Sequence, residues 1–178
     1  MMYASHYESP LGGITLASDG TALTGLWFDG QKYFPQIPVQ KCGWKQIPVF
    51  ERTFRWLDLY FDGKIPDFTP TLEFRAGDFR KAVWNILLTI PYGKTMTYGE
   101  IAKIISRDRG TARMSAQAVG GAVGRNPIAL IVPCHRVIGS DGSLTGYAGG
   151  IGKKKYLLDL EGIRISGLPA RSAKKLPC

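Results

Sequence analysis

The spacing of apolar residues changes along the chain, from short β-rich runs to helical periodicity. Gly13 to Ala17 and Ala22 to Phe28 are separated by Ser18-Asp19-Gly20-Thr21, and Asp-Gly between such runs predicts a hairpin. A small sheet therefore opens the chain. After a loop punctuated by prolines from Pro35 to Pro48, Phe50, Phe54, Leu57 and Phe61 recur at helical spacing and stop short of Gly63. This predicts one helix over the sheet, ended by a glycine. Pro66 and Pro70 suit neither helix nor strand, which places a domain boundary within residues 64–76.

The second half reads as helical. Phe79, Ala82, Val83, Ile86, Leu87 and Ile90 mark a core-facing helix ended by Pro91-Tyr92-Gly93. Thr97-Tyr98-Gly99-Glu100 matches a capping box, opening a short helix to about Ile105. Another helix is expected from Ser115 to Gly124, rich in small residues at Ala116, Ala118, Gly120, Gly121 and Ala122. Joined by a polar turn at Ser106 to Thr111, the two have the outline of a helix-turn-helix. A last helix is expected from Lys153 to Leu160, with Gly162 behind it. The predicted class is α/β of the α+β kind. A small N-terminal antiparallel sheet with a covering helix (residues 1–75) precedes a mainly helical C-terminal domain (residues 76–178).

Composition narrows the function. The 178 residues can bury a core unaided, and no apolar run approaches the roughly 20 residues that span a bilayer. The first ten residues lack a secretory signal, so a cytoplasmic monomer away from membranes is expected. Three scattered cysteines, Cys42, Cys134 and Cys178, do not form a disulfide framework. The two histidines, His6 and His135, stand at no metal-site spacing with them, so neither metal nor cofactor is expected. A net charge of +9 favours a polyanionic partner.

One segment carries candidate chemistry. Asn126-Pro127 makes a turn, Ile128 to Val132 is an apolar run that must be buried, and Pro133-Cys134-His135-Arg136 follows. An imidazole or guanidinium beside a cysteine lowers the thiol pKa and favours the nucleophilic thiolate. The plain alternative is a small core hydrophobe. Glycines at 139, 142, 146, 149, 150 and 152 suit either a backbone that passes close to a flat ligand or a flexible surface loop.

Pro133-Cys134-His135-Arg136-Val137, with Asn126-Pro127 before it and Tyr147-Ala148-Gly149-Gly150 after it, closely resembles the O6-alkylguanine-DNA alkyltransferases. The likeness extends from Phe79 through Glu161-Gly162, takes in Tyr98 and Ala118-Val119-Gly120, and continues more faintly at Ser9-Pro10-Leu11-Gly12. The resemblance implies that Cys134 accepts an alkyl group from O6-alkylguanine in double-stranded DNA, once and irreversibly, with O4-alkylthymine as a further substrate. His135 would act on the thiol through water, oriented by Glu161. Asn126 would hold the turn between the recognition helix and an active-site strand, and Tyr98 would donate to the leaving base. Val137 and Tyr147, Ala148, Gly149 and Gly150 would line the base pocket. Thr97, Ala116, Gln117, Ala118, Gly121, Ala122 and Arg125 would meet DNA, with the second helix in the minor groove and the damaged base flipped out. Relatives commonly carry an arginine at the position of Gln117, which lacks that charge and planar fork.

Rival readings remain at this stage. A lesion sensor without transfer activity would have replaced Cys134. An operator-reading regulator would need longer side chains than this small-residue helix offers. A Cys-His hydrolase would turn over repeatedly.

Overall fold

The computed structural model describes residues 2–35, 42–44 and 47–164. Cys178 and the basic stretch Arg171 to Lys175 lie outside the described residues, as does most of the expected proline-punctuated loop. Strands β1 (Met2–Ser9), β2 (Gly12–Ser18), β3 (Leu23–Phe28) and β4 (Cys42–Trp44) precede helix α1 (Pro48–Phe61). Helix α2 (Asp78–Leu88), strand β5 (Met96–Thr97), helices α3 (Tyr98–Asp108) and α4 (Ala116–Val123), strand β6 (Val137–Ile138) and helix α5 (Ile151–Leu160) follow.

The predicted hairpin is present as β2–β3. Asp19 Oδ1 accepts from the backbone N–H groups of Thr21 and Ala22, both at 2.9 Å, and Gly20 takes the left-handed φ of 111° that the turn requires. The sheet order is β3-β2-β1-β4. Its first three strands run antiparallel, whereas β4 lies parallel to β1, so the sheet is mixed. No apolar alternation announces β1, because only Ala4 along it is fully buried. Its pairing with β2, from Tyr3↔Ser18 to Ser9↔Gly12, decides its form.

Helix α1 buries Phe50, Thr53, Trp56, Leu57 and Tyr60. Phe54 and Phe61, expected on that stripe, sit at its edge and stack on Tyr7 at 5.7 and 6.5 Å. The helix is thus rotated so that Tyr60 points deepest. On α2, Val83, Trp84 and Leu87 are buried, and the Trp84 indole donates to Ala122 O at 2.9 Å, tying α2 to α4. Thr97 and Glu100 form the predicted capping box. Helix α3 continues to Asp108, three residues past the expected end, so the turn of the helix-turn-helix falls later than Ser106 to Thr111.

The apolar run 128–132 departs most from expectation. It is buried but is not a strand. Val132 N–H donates to Ile128 O at 3.1 Å and Ile131 N–H to Ala129 O at 2.8 Å, closing successive turns, with Leu130 at a left-handed φ of 68°. A 3₁₀ turn, Cys134–Arg136, then leads into β6. Burial demands only that backbone groups find partners, and turns supply them here as well as a ladder would.

The edge of β3 joins this run to the sheet. Leu26 N–H donates to Pro127 O and Ala129 N–H donates to Leu26 O, each at 2.9 Å. One cluster of buried side chains spans both halves, from Ile14, Leu26 and Phe50 to Val119, Leu130 and Leu157. Leu26 is fully buried in it. Leu26→Ala should lower the unfolding free energy by about 2–5 kcal/mol in urea titration, because the seam leaves little room for collapse.

Candidate active site

Asn126 organises the segment that carries the cysteine. Its Oδ1 accepts from Ile128 N–H at 3.0 Å, and its Nδ2 donates to Val132 O at 2.7 Å and to Cys134 Sγ at 3.2 Å. One side chain therefore shapes the turn and aims a donor at the sulfur. No active-site strand exists for Asn126 to hold, since the chain passes from turns directly into the 3₁₀ turn of Cys134.

Within that turn His135 and Arg136 both reach Glu161, which caps the end of α5. Glu161 Oε1 accepts from His135 Nε2 at 2.7 Å, from Tyr60 Oη at 2.7 Å and from Arg136 Nη2 at 3.0 Å. Its Oε2 accepts from Arg136 Nε at 2.8 Å and Gly93 N–H at 3.1 Å. The Arg136 fork is completed by Nη1 donating to Ile90 O at 2.6 Å. Burial would raise the Glu161 carboxyl, but the hydrogen bond from His135 and the hydrogen bonds and charge of Arg136 outweigh it and lower its pKa to about 2. The acceptor oxygen at Nε2 assigns the ring proton there, leaving Nδ1 as the lone-pair nitrogen. Nδ1 is buried and has no hydrogen-bond partner among the described residues. Burial, reinforced by Arg136 and Lys154, lowers the imidazole pKa despite Glu161, so the ring is neutral at physiological pH.

The electrostatics of the thiol differ from the sequence expectation. Its pKa is raised, because burial outweighs the opposing pulls of the Asn126 donor and the Lys154 charge. The guanidinium of Arg136 is spent on Glu161, so it is not what poises the sulfur. The resting thiol is consequently protonated and needs a base. Cys134 is buried, with 6% of the residue exposed.

Helices α3 and α4 and the glycine-rich loop meet around this centre. Tyr98, the first residue of α3, donates from its hydroxyl to Thr145 O at 2.9 Å. A Cβ on Gly146 would stand 3.1 Å from that hydroxyl, at a φ of 72° that disfavours side chains. A cavity of about 330 Å³ lies between Gly120, Gly121 and Gly124 on one side and Gly146, Tyr147, Ala148 and Gly150 on the other. Gly149 packs behind it, where a Cβ would come within 2.8 Å of the Tyr147 ring. Tyr147 Oη is buried without a hydrogen-bond partner among the described residues. Burial first, then the charge of Cys134, raises its phenol pKa. Val137 is buried on β6, beside Met96.

On α4, Ala116, Gln117, Ala118 and Gly121 are exposed along one side, with Arg125 just beyond. Ala122 does not belong to that surface. It is 3% exposed, lies on the buried side of α4 with Val119 and Val123, and its carbonyl accepts from Trp84 on α2. Thr97 is half-buried, its hydroxyl engaged with Glu100.

Two family descriptions match this chain. Residues 78–163 fit the DNA binding domain of 6-O-methylguanine DNA methyltransferase, and residues 2–74 fit its ribonuclease-like domain. The chain belongs to the 6-O-methylguanine DNA methyltransferase family. Similar proteins include methylated-DNA–protein-cysteine methyltransferases of Mycobacterium tuberculosis, 46% identical over 90% of this chain and 93% of that one, and of Methanosarcina acetivorans, 46% identical over 90% and 99%. A crystal structure of the Mycobacterium tuberculosis protein in complex with DNA superposes with a TM-score of 0.77 at 45% identity, covering 90% of this chain and 93% of the other. DNA is the partner of this 6-O-methylguanine DNA methyltransferase family member, and among the described residues no helix is long and apolar enough to cross a membrane.

Sequence reasoning missed several contributors to this family member's site. Tyr60 reaches Glu161 from α1, although it lay outside the expected apolar stripe. Lys154, fully buried, donates to Val137 O at 2.5 Å and Thr145 O at 2.9 Å, and burial lowers its pKa to about 8 although the Cys134 charge opposes this. Its spacing from Leu157 and Leu158 on α5 was the available signal. Lys32 and Tyr33, at the far end of the sequence, line the cavity rim, and Arg125 stacks on the Tyr33 ring at 5.1 Å. No local pattern announces that contact.

Since the Glu161 pKa is lowered from 4.5 to about 2, the stability it confers is present above pH 4.5 and is lost as pH falls towards 2. Glu161→Gln should melt lower than wild type at pH 7, and the gap should narrow across that acid window in calorimetry.

Proposed function

We propose that the protein repairs DNA by moving an alkyl group from O6 of guanine to Cys134 Sγ, irreversibly and once per chain. The observation that carries this reading is the buried relay itself. A thiol receives the Asn126 donor at 3.2 Å, and the next residue presents a neutral, unpartnered Nδ1 whose other nitrogen is anchored 2.7 Å from Glu161. The thiol proton passes through a water to His135 Nδ1 as sulfur attacks the alkyl carbon. An S–C bond forms and the C–O6 bond breaks, its electron pair remaining on the base. Tyr98 turns its hydroxyl from Thr145 O to the guanine ring and offsets the growing negative charge. The product thioether has no route back, since no group in the network can displace it.

O6 in a stacked pair is beyond the reach of a buried cysteine, so the nucleotide must leave the duplex. We assign the extruded base to the cavity that Tyr147, Ala148 and Gly150 line with the α4 glycines, and add Gly149 and Val137 to the base pocket as part of the same reading. We assign the exposed row Ala116, Gln117, Ala118 and Gly121, with Thr97 and Arg125, to the minor groove, and extend the substrate to O4-alkylthymine. Small side chains let backbone approach any sequence, as a search for lesions requires. We place residues 1–75 as a support domain and residues 76–178 as the transfer domain of a cytoplasmic monomer.

Incubation with a duplex that contains O6-methylguanine should add one methyl per chain, read by intact mass and mapped to Cys134. Cys134→Ser should remain unmodified, and repeated turnover would point to a hydrolase. Gln117→Arg should tighten binding to the same duplex at fixed salt, because a guanidinium replaces an uncharged amide where the flipped base departs. An unchanged Kd would remove Gln117 from the inserted position.

A further inference from the structure

Glu161 receives one of its hydrogen bonds from the other half of the chain. Tyr60, near the end of α1, is fully buried, its ring stacked on Trp56 at 5.2 Å and meeting Tyr92 edge-on at 6.1 Å. The ring alone satisfies that packing. A buried phenol also needs a hydrogen-bond partner, and a backbone carbonyl would serve. Tyr60 instead donates to Glu161 Oε1 at 2.7 Å, the same oxygen that accepts from His135 Nε2, and its own oxygen lies 3.2 Å from that nitrogen.

We propose that Tyr60 is a positioning residue for alkyl transfer, fixing Glu161 Oε1 and the Nε2-protonated form of His135 so that Nδ1 stays bare for the Cys134 proton. The inference rests on the roles of Cys134, His135 and Glu161 given above. With its hydrogen committed to Glu161, the phenol turns lone pairs towards Nε2 and becomes a second acceptor for the same N–H. The other tautomer would place a lone pair on Nε2 against two oxygens, and Tyr60 would have to abandon Glu161 to relieve it. The arrangement matters again once the proton has moved. Arg136 and Lys154 are cations whose charge opposes an imidazolium at His135. Glu161 and the Tyr60 oxygen are the groups at Nε2 that favour it. Burial first, and then the Glu161 charge, raises the Tyr60 pKa, so the phenol keeps its proton and does not exchange roles with the base. The first half of the chain thus supplies part of the relay.

Tyr60→Phe removes the hydroxyl and keeps the ring. Full-length protein, labelled with ¹⁵N at histidine, would be compared with wild type for single-turnover transfer at saturating O6-methylguanine duplex, for Kd and for the His135 ring nitrogen signals. The expected result is a transfer rate roughly tenfold lower, a fraction of what acid–base groups contribute, with Kd unchanged. The two nitrogen signals should move towards each other as tautomers mix. In a Glu161→Gln background the same change should slow transfer no further, because Tyr60 acts through that carboxylate. A wild-type rate in Tyr60→Phe would overturn the proposal, as would a slower rate with His135 signals unmoved, which would mark loss of packing alone. Failure of the wild-type protein to transfer any methyl would sink the alkyl-transfer reading itself, while the nitrogen signals would still decide whether Tyr60 sets the tautomer.

Discussion

A carboxylate with no exposed surface constrains this protein more than any other group. Glu161 is charged inside the fold, and an isolated buried charge is costly enough that it survives only where donors surround it. Those donors are four residues from three segments: Tyr60 on α1, Gly93 after α2, and His135 and Arg136 in the 3₁₀ turn, all meeting Glu161 at the end of α5. Satisfying one carboxylate therefore fixes the relative positions of elements far apart in sequence. The same requirement orients the imidazole, because the nitrogen that faces Glu161 must carry the proton. Structure and chemistry share a single cause here.

The sulfur is governed by a different balance. Burial protects it from solvent and from oxidants but raises its pKa, against the Asn126 donor and the Lys154 charge. Burial wins in the resting protein. A neutral thiol beside a neutral imidazole is a weak nucleophile in the resting protein. Lys154 adds a second function to its charge by tying β6 to the glycine-rich loop through Val137 O and Thr145 O. It couples the segment that carries the thiol to the wall of the cavity.

Around that centre the chain uses absence of side chains as a material. Gly146, at a φ of 72°, lets the Tyr98 hydroxyl sit beside backbone where a Cβ would stand 3.1 Å away. On the outer side of α4 the same economy leaves a surface with little steric relief. Gln117 adds no charge to that surface, while Lys32 and Arg125 hold theirs over the Tyr33 ring.

Much was legible in the sequence because the information is local. The β2–β3 turn follows from Asp19-Gly20, the start of α3 from Thr97 and Glu100, and the end of α1 from Gly63, each a short-range hydrogen-bonding or conformational preference. Pro-Cys-His-Arg with Asn126 and Tyr147 identified the chemistry, since the relay's main members are clustered or carried by a recognisable order. Tertiary structure alone decided the rest. A parallel β4, turns in place of a strand at 128–132, Ala122 facing inward and the contact of Tyr60 with Glu161 all depend on which distant backbone or charge is nearby. Local sequence determines where an element begins and what its side chains can do. Only packing determines which buried group must be satisfied by which partner, and that long-range accounting placed the imidazole, its anchoring carboxylate and the neutral thiol.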